Sequence, residues 1–183
     1  MKRWDEVTLK TRAVIATGGI LLAALALNTG LNIYSAAGKY REAVLGQTTA
    51  LAEGVKKDID KVTGFGLPLS ALDGMSDKLR GLMENDNKIS RAMVVDRDGT
   101  VLYATEKTRE GAQASDPGSR NALDATAPLV QEYTDETGGQ YERVIPLMGL
   151  DGKKMGVLRI ALKASAVNRP LRELLVWSFM VGV

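Results

Sequence analysis

Residues 89–105 read ISRAMVVDRDGTVLYAT, and this stretch decides the fold class. Two β-rich runs, Ile89–Asp96 and Val101–Thr105, flank Arg97-Asp98-Gly99-Thr100. Asp-Gly between such runs is the strongest short-range hairpin signal, because a tight turn needs residues that tolerate positive φ. Three more strand candidates follow at Leu129–Tyr133, Tyr141–Leu147 and Met155–Leu162. Gly138-Gly139 separates the first two, and Leu150-Asp151-Gly152-Lys153 separates the last two. Tight turns between short strands predict one antiparallel sheet that must cover a face with helices.

Those helices are legible on either side. Residues 39–62 contain no proline, and Val44, Leu51, Val55, Ile59 and Val62 form a narrow apolar stripe. Such a stripe suits packing on a sheet or on a twin helix, and the near-heptad spacing predicts a parallel homodimer. Gly64, Gly66 and Pro68 break it. A second helix is predicted after a Ser70 cap, with Leu72, Met75, Leu79 and Leu82 on one side and Asn85-Asp86-Asn87 ending it. Residues 106–118, EKTREGAQASDPG, read as a polar loop, and Ser119–Ala127 as a short helix. From Lys163 the composition turns helical again, with Pro170 suited to a helix start.

Further out lie two apolar segments. Residues 13–37, AVIATGGILLAALALNTGLNIYSAA, carry no charge. A spanning helix needs about 20 apolar residues to cross a hydrocarbon core of roughly 30 Å. A core helix would show a polar face, and this segment has none. Ser35-Ala36-Ala37 resembles a signal cleavage site, but signal cores run only about 7–15 residues, so the segment reads as an uncleaved anchor. Lys2, Arg3, Lys10 and Arg12 precede it and place the amino terminus inside, although Lys39 and Arg41 on the far side blunt that bias. Residues 174–183, LLVWSFMVGV, are too few to cross and read as the first half of a second span. The predicted organisation is therefore 1–12 cytoplasmic, 13–36 membrane, 37–173 extracytoplasmic domain and 174–183 start of the second span. That places the chain in the inner membrane, with its main domain in the periplasm or outside the cell.

Composition narrows the function. The 183 residues carry a net charge of +2, with Lys and Arg scattered among acids, which is no nucleic-acid footprint. There is no Cys and no His. That removes thiol nucleophiles, Fe–S ligation, the commonest general base and the commonest metal ligand. Asp96, Asp98 and Asp151 superficially suggest a calcium loop, but the other ligands are missing, and they read as turn residues. Asp135, Glu136 and Glu142 have no nucleophile beside them and read as surface charge. No enzyme, cofactor or metal site is expected.

In this setting MVVDRDGTVLYAT (93–105), followed downstream by RVIPLMGLDGKKMGVLRIAL (143–162), resembles the Cache (PAS-like) extracytoplasmic sensor domains of bacterial receptors. The resemblance covers roughly Lys39–Arg172 in single-module form. It implies an α+β architecture: membrane helix, long stalk helix, five-stranded antiparallel sheet with flanking helices, and an exit helix entering a second span. It also implies a ligand-sensing input module of a chemoreceptor, sensor kinase or cyclase. The aromatic-and-arginine motif of the amino-acid-binding double-module members is not found, so their ligand class is not implied. The alternative is a membrane-tethered structural or partner-binding domain without a small ligand.

Arg91, Arg143 and Arg159 each lie inside a predicted strand with apolar or aromatic neighbours at two-residue spacing. Alternation lets each either lie on the solvent face of the sheet or point into a half-buried pocket beside Tyr103 or Tyr141. A guanidinium fork suits carboxylates, and a buried one must meet an internal carboxylate or a ligand. The predicted ligand is a small organic anion held by these arginines, with Tyr103 or Tyr141 closing the site and residues 106–118 as a lid.

Overall fold

The computed structural model describes residues 8–168. Residues 1–7, the exit helix from residue 169 and the predicted second span lie outside them. The chain divides into two compact units: residues up to Tyr40 belong to the first and Arg41–Pro170 to the second. Helix α1, Leu9–Thr63, contributes to both, so the expected anchor and stalk are one helix. Its amino-terminal part is long and apolar enough to cross a membrane by length and composition. Its large side chains there, Leu21, Leu22, Leu25 and Leu27 among them, are exposed.

The second unit is built on the sheet. Strands β1 (Ile89–Asp96), β2 (Val101–Ala104), β3 (Leu129–Asp135), β4 (Gly138–Met148) and β5 (Lys154–Lys163) lie in the order β2-β1-β5-β4-β3. Every pairing is antiparallel, and the last strand sits in the centre between β1 and β4. All five sequence-predicted strands are present. The β1–β2 turn forms where Asp-Gly predicts it. Gly99 takes φ +87°, and Asp96 Oδ1 accepts the N–H groups of Asp98 at 2.9 Å and Thr100 at 2.8 Å. That is the turn role expected of these aspartates.

Strand alternation gives the sheet two unlike faces. The register puts Val94, Leu158 and Ile145 on one face with Ala92, Ile160 and Tyr141. This face meets α1: the Arg41 guanidinium stacks 4.4 Å from the Tyr141 ring centroid and donates to Glu132 at 3.2 Å. The buried positions of α1 are Val44, Thr48, Ala52, Val55, Ile59 and Thr63. This differs from the expected stripe. Thr48 and Thr63 bury their hydroxyls by donating to the carbonyls of Val44 and Ile59, each at 3.0 Å, while Leu51 and Val62 are half-buried at the flank. Val44, Val55 and Ile59 are therefore buried within one chain, which leaves them unavailable to the twin-helix contact predicted through them.

Helix α2, Met75–Asn85, covers β1 and β2 and starts after Gly74 instead of Ser70. Residue 70 instead lies in a single 3₁₀ turn, Leu69–Ala71. Leu69 reaches Gly156 of β5, where an added Cβ would stand 2.2 Å from the Val95 carbonyl oxygen. The other sheet face packs Met93, Val95, Val101, Val144 and Val157 against Ala122 and Ala125 in and after helix α3, Ser119–Asp124. Lys154 donates to the carbonyls of Leu123 and Ala125, tying the end of α3 to β5.

Candidate functional site

A polar network interrupts the apolar α3 face. In register, Arg159 of β5 lies opposite Met93 of β1 and Val144 of β4, so it shares that face with Glu142, two residues earlier on β4. Arg159 is 1% exposed and Glu142 0%. Arg159 Nε donates to Glu142 Oε1 at 3.0 Å and Nη2 to Glu142 Oε2 at 2.9 Å, a two-point pair between neighbouring strands.

The far side of the same guanidinium is held by the loop before α3. Nη2 donates to Asp116 Oδ1 at 2.5 Å and Nη1 to Asp116 Oδ2 at 3.1 Å. Ser119 accepts from Nη1 at 2.8 Å and donates to Asp116 Oδ2 at 2.9 Å. Gly118 brings the loop in, because a Cβ there would lie 2.7 Å from the Tyr133 ring. All three guanidinium nitrogens of Arg159 are thus engaged by protein groups.

Arg91 of β1 lies beside Ala161 of β5, whose small side chain leaves room to reach across the sheet. Its Nη2 donates to the Tyr133 hydroxyl at 2.6 Å, and Tyr133 donates to Glu142 Oε1 at 3.2 Å. Its carboxylate neighbours are looser, with Asp135 at 3.5 Å and Asp116 at 4.0 Å. Gln131 donates to Glu142 Oε2 at 2.6 Å and to the Gly118 carbonyl at 2.9 Å. Two buried atoms in this network have no hydrogen-bond partner, Arg91 Nε and Gln131 Oε1.

Electrostatics follow from these contacts. Burial raises the Asp116 carboxyl, but hydrogen bonds from Arg159 and its charge outweigh that and hold it below the usual carboxylate range. Asp135 is also held low: burial raises it, and hydrogen bonds from Thr137 with the charge of Arg91 prevail. Burial and the Glu142 charge push the Tyr133 hydroxyl up, so it remains a donor at neutral pH. Burial opposes the charge on Arg159, yet Glu142 and Asp116 hold it firmly protonated. Among the described residues no group of His, Cys, Asp or Glu is placed to hold a metal ion.

The five residues expected to share one site are divided between the two sheet faces. Arg91 and Arg159 come together on the α3 face. Tyr141 and Arg143 lie on the α1 face, Tyr141 beneath Arg41 and Arg143 half-buried with its Nε lacking a partner. Tyr103, opposite Val94, is on that face too, and its hydroxyl accepts the Leu72 N–H at 2.9 Å. Neither tyrosine lies beside Arg91 and Arg159; the tyrosine hydroxyl that meets them there is that of Tyr133, bonded to Arg91 and Glu142. Glu142, expected at the surface, is fully buried, and Asp116, Ser119 and Gln131 were not singled out by the sequence. The signal available for Glu142 was its alternation with Gln140 and Val144 on one strand. For Asp116 the sequence offered only a polar loop.

No protein-family model matches the chain, and no curated protein sequence matches it. Solved structures do. The E. coli DcuS sensor domain superposes with a TM-score of 0.59 at 16% identity, covering 73% of this chain and 98% of that one. The sensor domain of the V. cholerae histidine kinase DctB gives 0.62 at 14% identity, covering 80% of this chain and 59% of that one. The sensory domain of the Campylobacter jejuni chemoreceptor Tlp3, solved with isoleucine bound, gives 0.62 at 16% identity, covering 83% and 65% respectively. The chain thus spans nearly all of the DcuS domain but under two thirds of the other two. The likeness to these solved sensor domains is one of fold: a five-stranded antiparallel sheet with a long helix on one face.

Proposed function

We propose that this chain is the extracytoplasmic input domain of a bacterial transmembrane receptor, anchored in the inner membrane by the apolar part of α1. On this reading it senses a small molecule on the α3 face of the sheet and passes occupancy inward by a small movement of helices. One observation carries it: a sensor-domain sheet whose α3 face holds two buried arginines under a polar loop, with unspent hydrogen-bonding atoms left among them. A homodimer remains part of the reading, with its contact away from the Val44–Val55–Ile59 stripe. No catalysis is assigned, since the buried carboxylates of Glu142 and Asp116 are tied to Arg159.

The test is a hybrid in which residues 1–183 replace the input half of a histidine kinase. Its autophosphorylation should change with some members of a panel of small carboxylates and amino acids. Silence across the panel, with the hybrid inserted and folded, would favour a second reading. That reading, a partner-binding tip, has its own observation. Leu67 and Leu150 are exposed beside an open cleft of about 650 Å³ formed with the β1–β2 and β4–β5 turns.

A further inference from the structure

We infer that Asp116 is a built-in counter-anion, occupying the arginine pair in the resting domain until a small organic carboxylate displaces it. The inference rests on the sensing reading and names the ligand class and the regulation of that same site.

The residues around Arg159 are of two kinds. Glu142, Tyr133 and Gln131 stand on strands and are fixed by the sheet register. Asp116 and Ser119 come from the segment joining β2 to β3, with Asp116 itself in the loop before α3. Counting Arg91 and Arg159 against Asp116, Asp135 and Glu142 gives two positive and three negative charges. The strand arginines therefore do not await an anion. They already hold one, on a loop. Withdrawing Asp116 leaves two charges of each sign and strips Arg159 of two hydrogen bonds in a site from which water is largely excluded. A ligand carboxylate entering there restores the same charge and the same two-point geometry.

Two further features point the same way. Arg91 Nε is buried without a partner, a donor beside Asp116 that the loop carboxylate does not use and a larger anion could. Asp116 and Ser119 also line an open cleft of about 580 Å³ with Arg120, Asn121 and Asp124, so the loop carboxylate stands between solvent and the arginines. Displacement would release the loop from β5, the central strand, which leads directly into the helical residues 164–168.

A tethered carboxylate competes at an effective concentration on the order of mM or above, so removing it should tighten binding of a free one by about tenfold or more. The whole chain in detergent or nanodiscs is titrated with acetate against matched chloride, following thermal unfolding, as wild type, Asp116→Ala and Asp116→Asn. Acetate binding at least ~10-fold tighter to either variant than to wild type supports the inference. Equal or weaker binding overturns it. Should both variants fail to fold, trypsin cleavage of the wild-type loop at Lys107 and Arg109 decides. Acetate should speed it if Asp116 is displaced, and unchanged or slower cleavage overturns the inference. In the hybrid kinase, equal carboxylate sensitivity with and without Asp116 defeats this inference and leaves the sensing reading standing. Tighter binding without any output change does the reverse.

Discussion

Arg159 illustrates what a charge inside a central strand requires. Desolvating a guanidinium costs several kcal/mol, recovered only when carboxylates meet it with good geometry and their spare lone pairs are satisfied. Glu142, Asp116, Ser119, Tyr133 and Gln131 meet that demand together. Removing one member leaves the others buried and unpaired, so Arg159→Ala should cost about 3–5 kcal/mol in urea unfolding. Arg97→Ala, on an exposed turn, should stay within about 0.5 kcal/mol. The network also sets an acid limit. Asp116 and Asp135 titrate below the ordinary carboxylate range when folded, so folding favours their ionised forms. Their contribution is present above the unfolded value of about 4 and is lost as pH falls through the lower folded values. Urea midpoints should therefore drop on acidification below about pH 4, and Asp116→Asn should flatten that drop. The arginines were legible in the sequence because strands betray themselves by alternation. Their partners were not, because register alone brings Glu142 beside Arg159, and one sequence does not specify which strands are neighbours.

At the scale of elements the legibility reverses. Strand β1 runs from Ile89 to Asp96 as its sequence predicts, since Asp-Gly fixes one end and β-branched residues fill the rest. The α1 contact is less legible, because Thr48 and Thr63 count as polar although their hydroxyls return to the helix backbone. What the stripe does is now specific. Ile59 is fully buried against the rest of its own unit, so Ile59→Ala should lose about 2–5 kcal/mol by calorimetry or urea, whereas exposed Lys57→Ala should be nearly silent. A Cys at residue 59 should likewise resist crosslinking between chains in this cysteine-free sequence, and ready crosslinking there would restore the twin-helix contact. Gly156→Ala tests the crossing of β5 beneath Leu69. Its Cβ would meet the Val95 carbonyl oxygen, so backbone must move and the yield of folded protein should fall sharply. Gly81→Ala in α2 finds open space and should be neutral or slightly stabilising.

For the whole molecule, the sensing reading depends on which side of a membrane the sheet occupies. The charge-free run from Ala13 to Gly38 lies within α1, with exposed leucines and with Lys10 and Arg12 at its amino-terminal end. Exposed leucine in water is expensive at this density, roughly 25 cal/mol per Å² of apolar surface, and a bilayer removes that cost. Asn28 and Asn32 also lie in the run, and their amides bond to one another at 3.5 Å, which lowers the penalty of placing two polar side chains in lipid. Four cations before the run, Lys2, Arg3, Lys10 and Arg12, against Lys39 and Arg41 after it, favour retention of the amino terminus in the cytoplasm. The expected topology then follows. A phosphatase that is active only outside the cytoplasm should be active when fused after residue 105, between β2 and β3, and silent when fused after residue 5. A cytoplasm-dependent reporter should give the opposite pattern at the same two sites. Changing Lys2, Arg3, Lys10 and Arg12 together to Gln should leave Lys39 and Arg41 as the dominant charges and reduce phosphatase activity at residue 105. Activity at residue 5 with silence at residue 105 in the wild-type chain would place the Arg91–Arg159 network in the cytoplasm and end the case for an extracytoplasmic sensor.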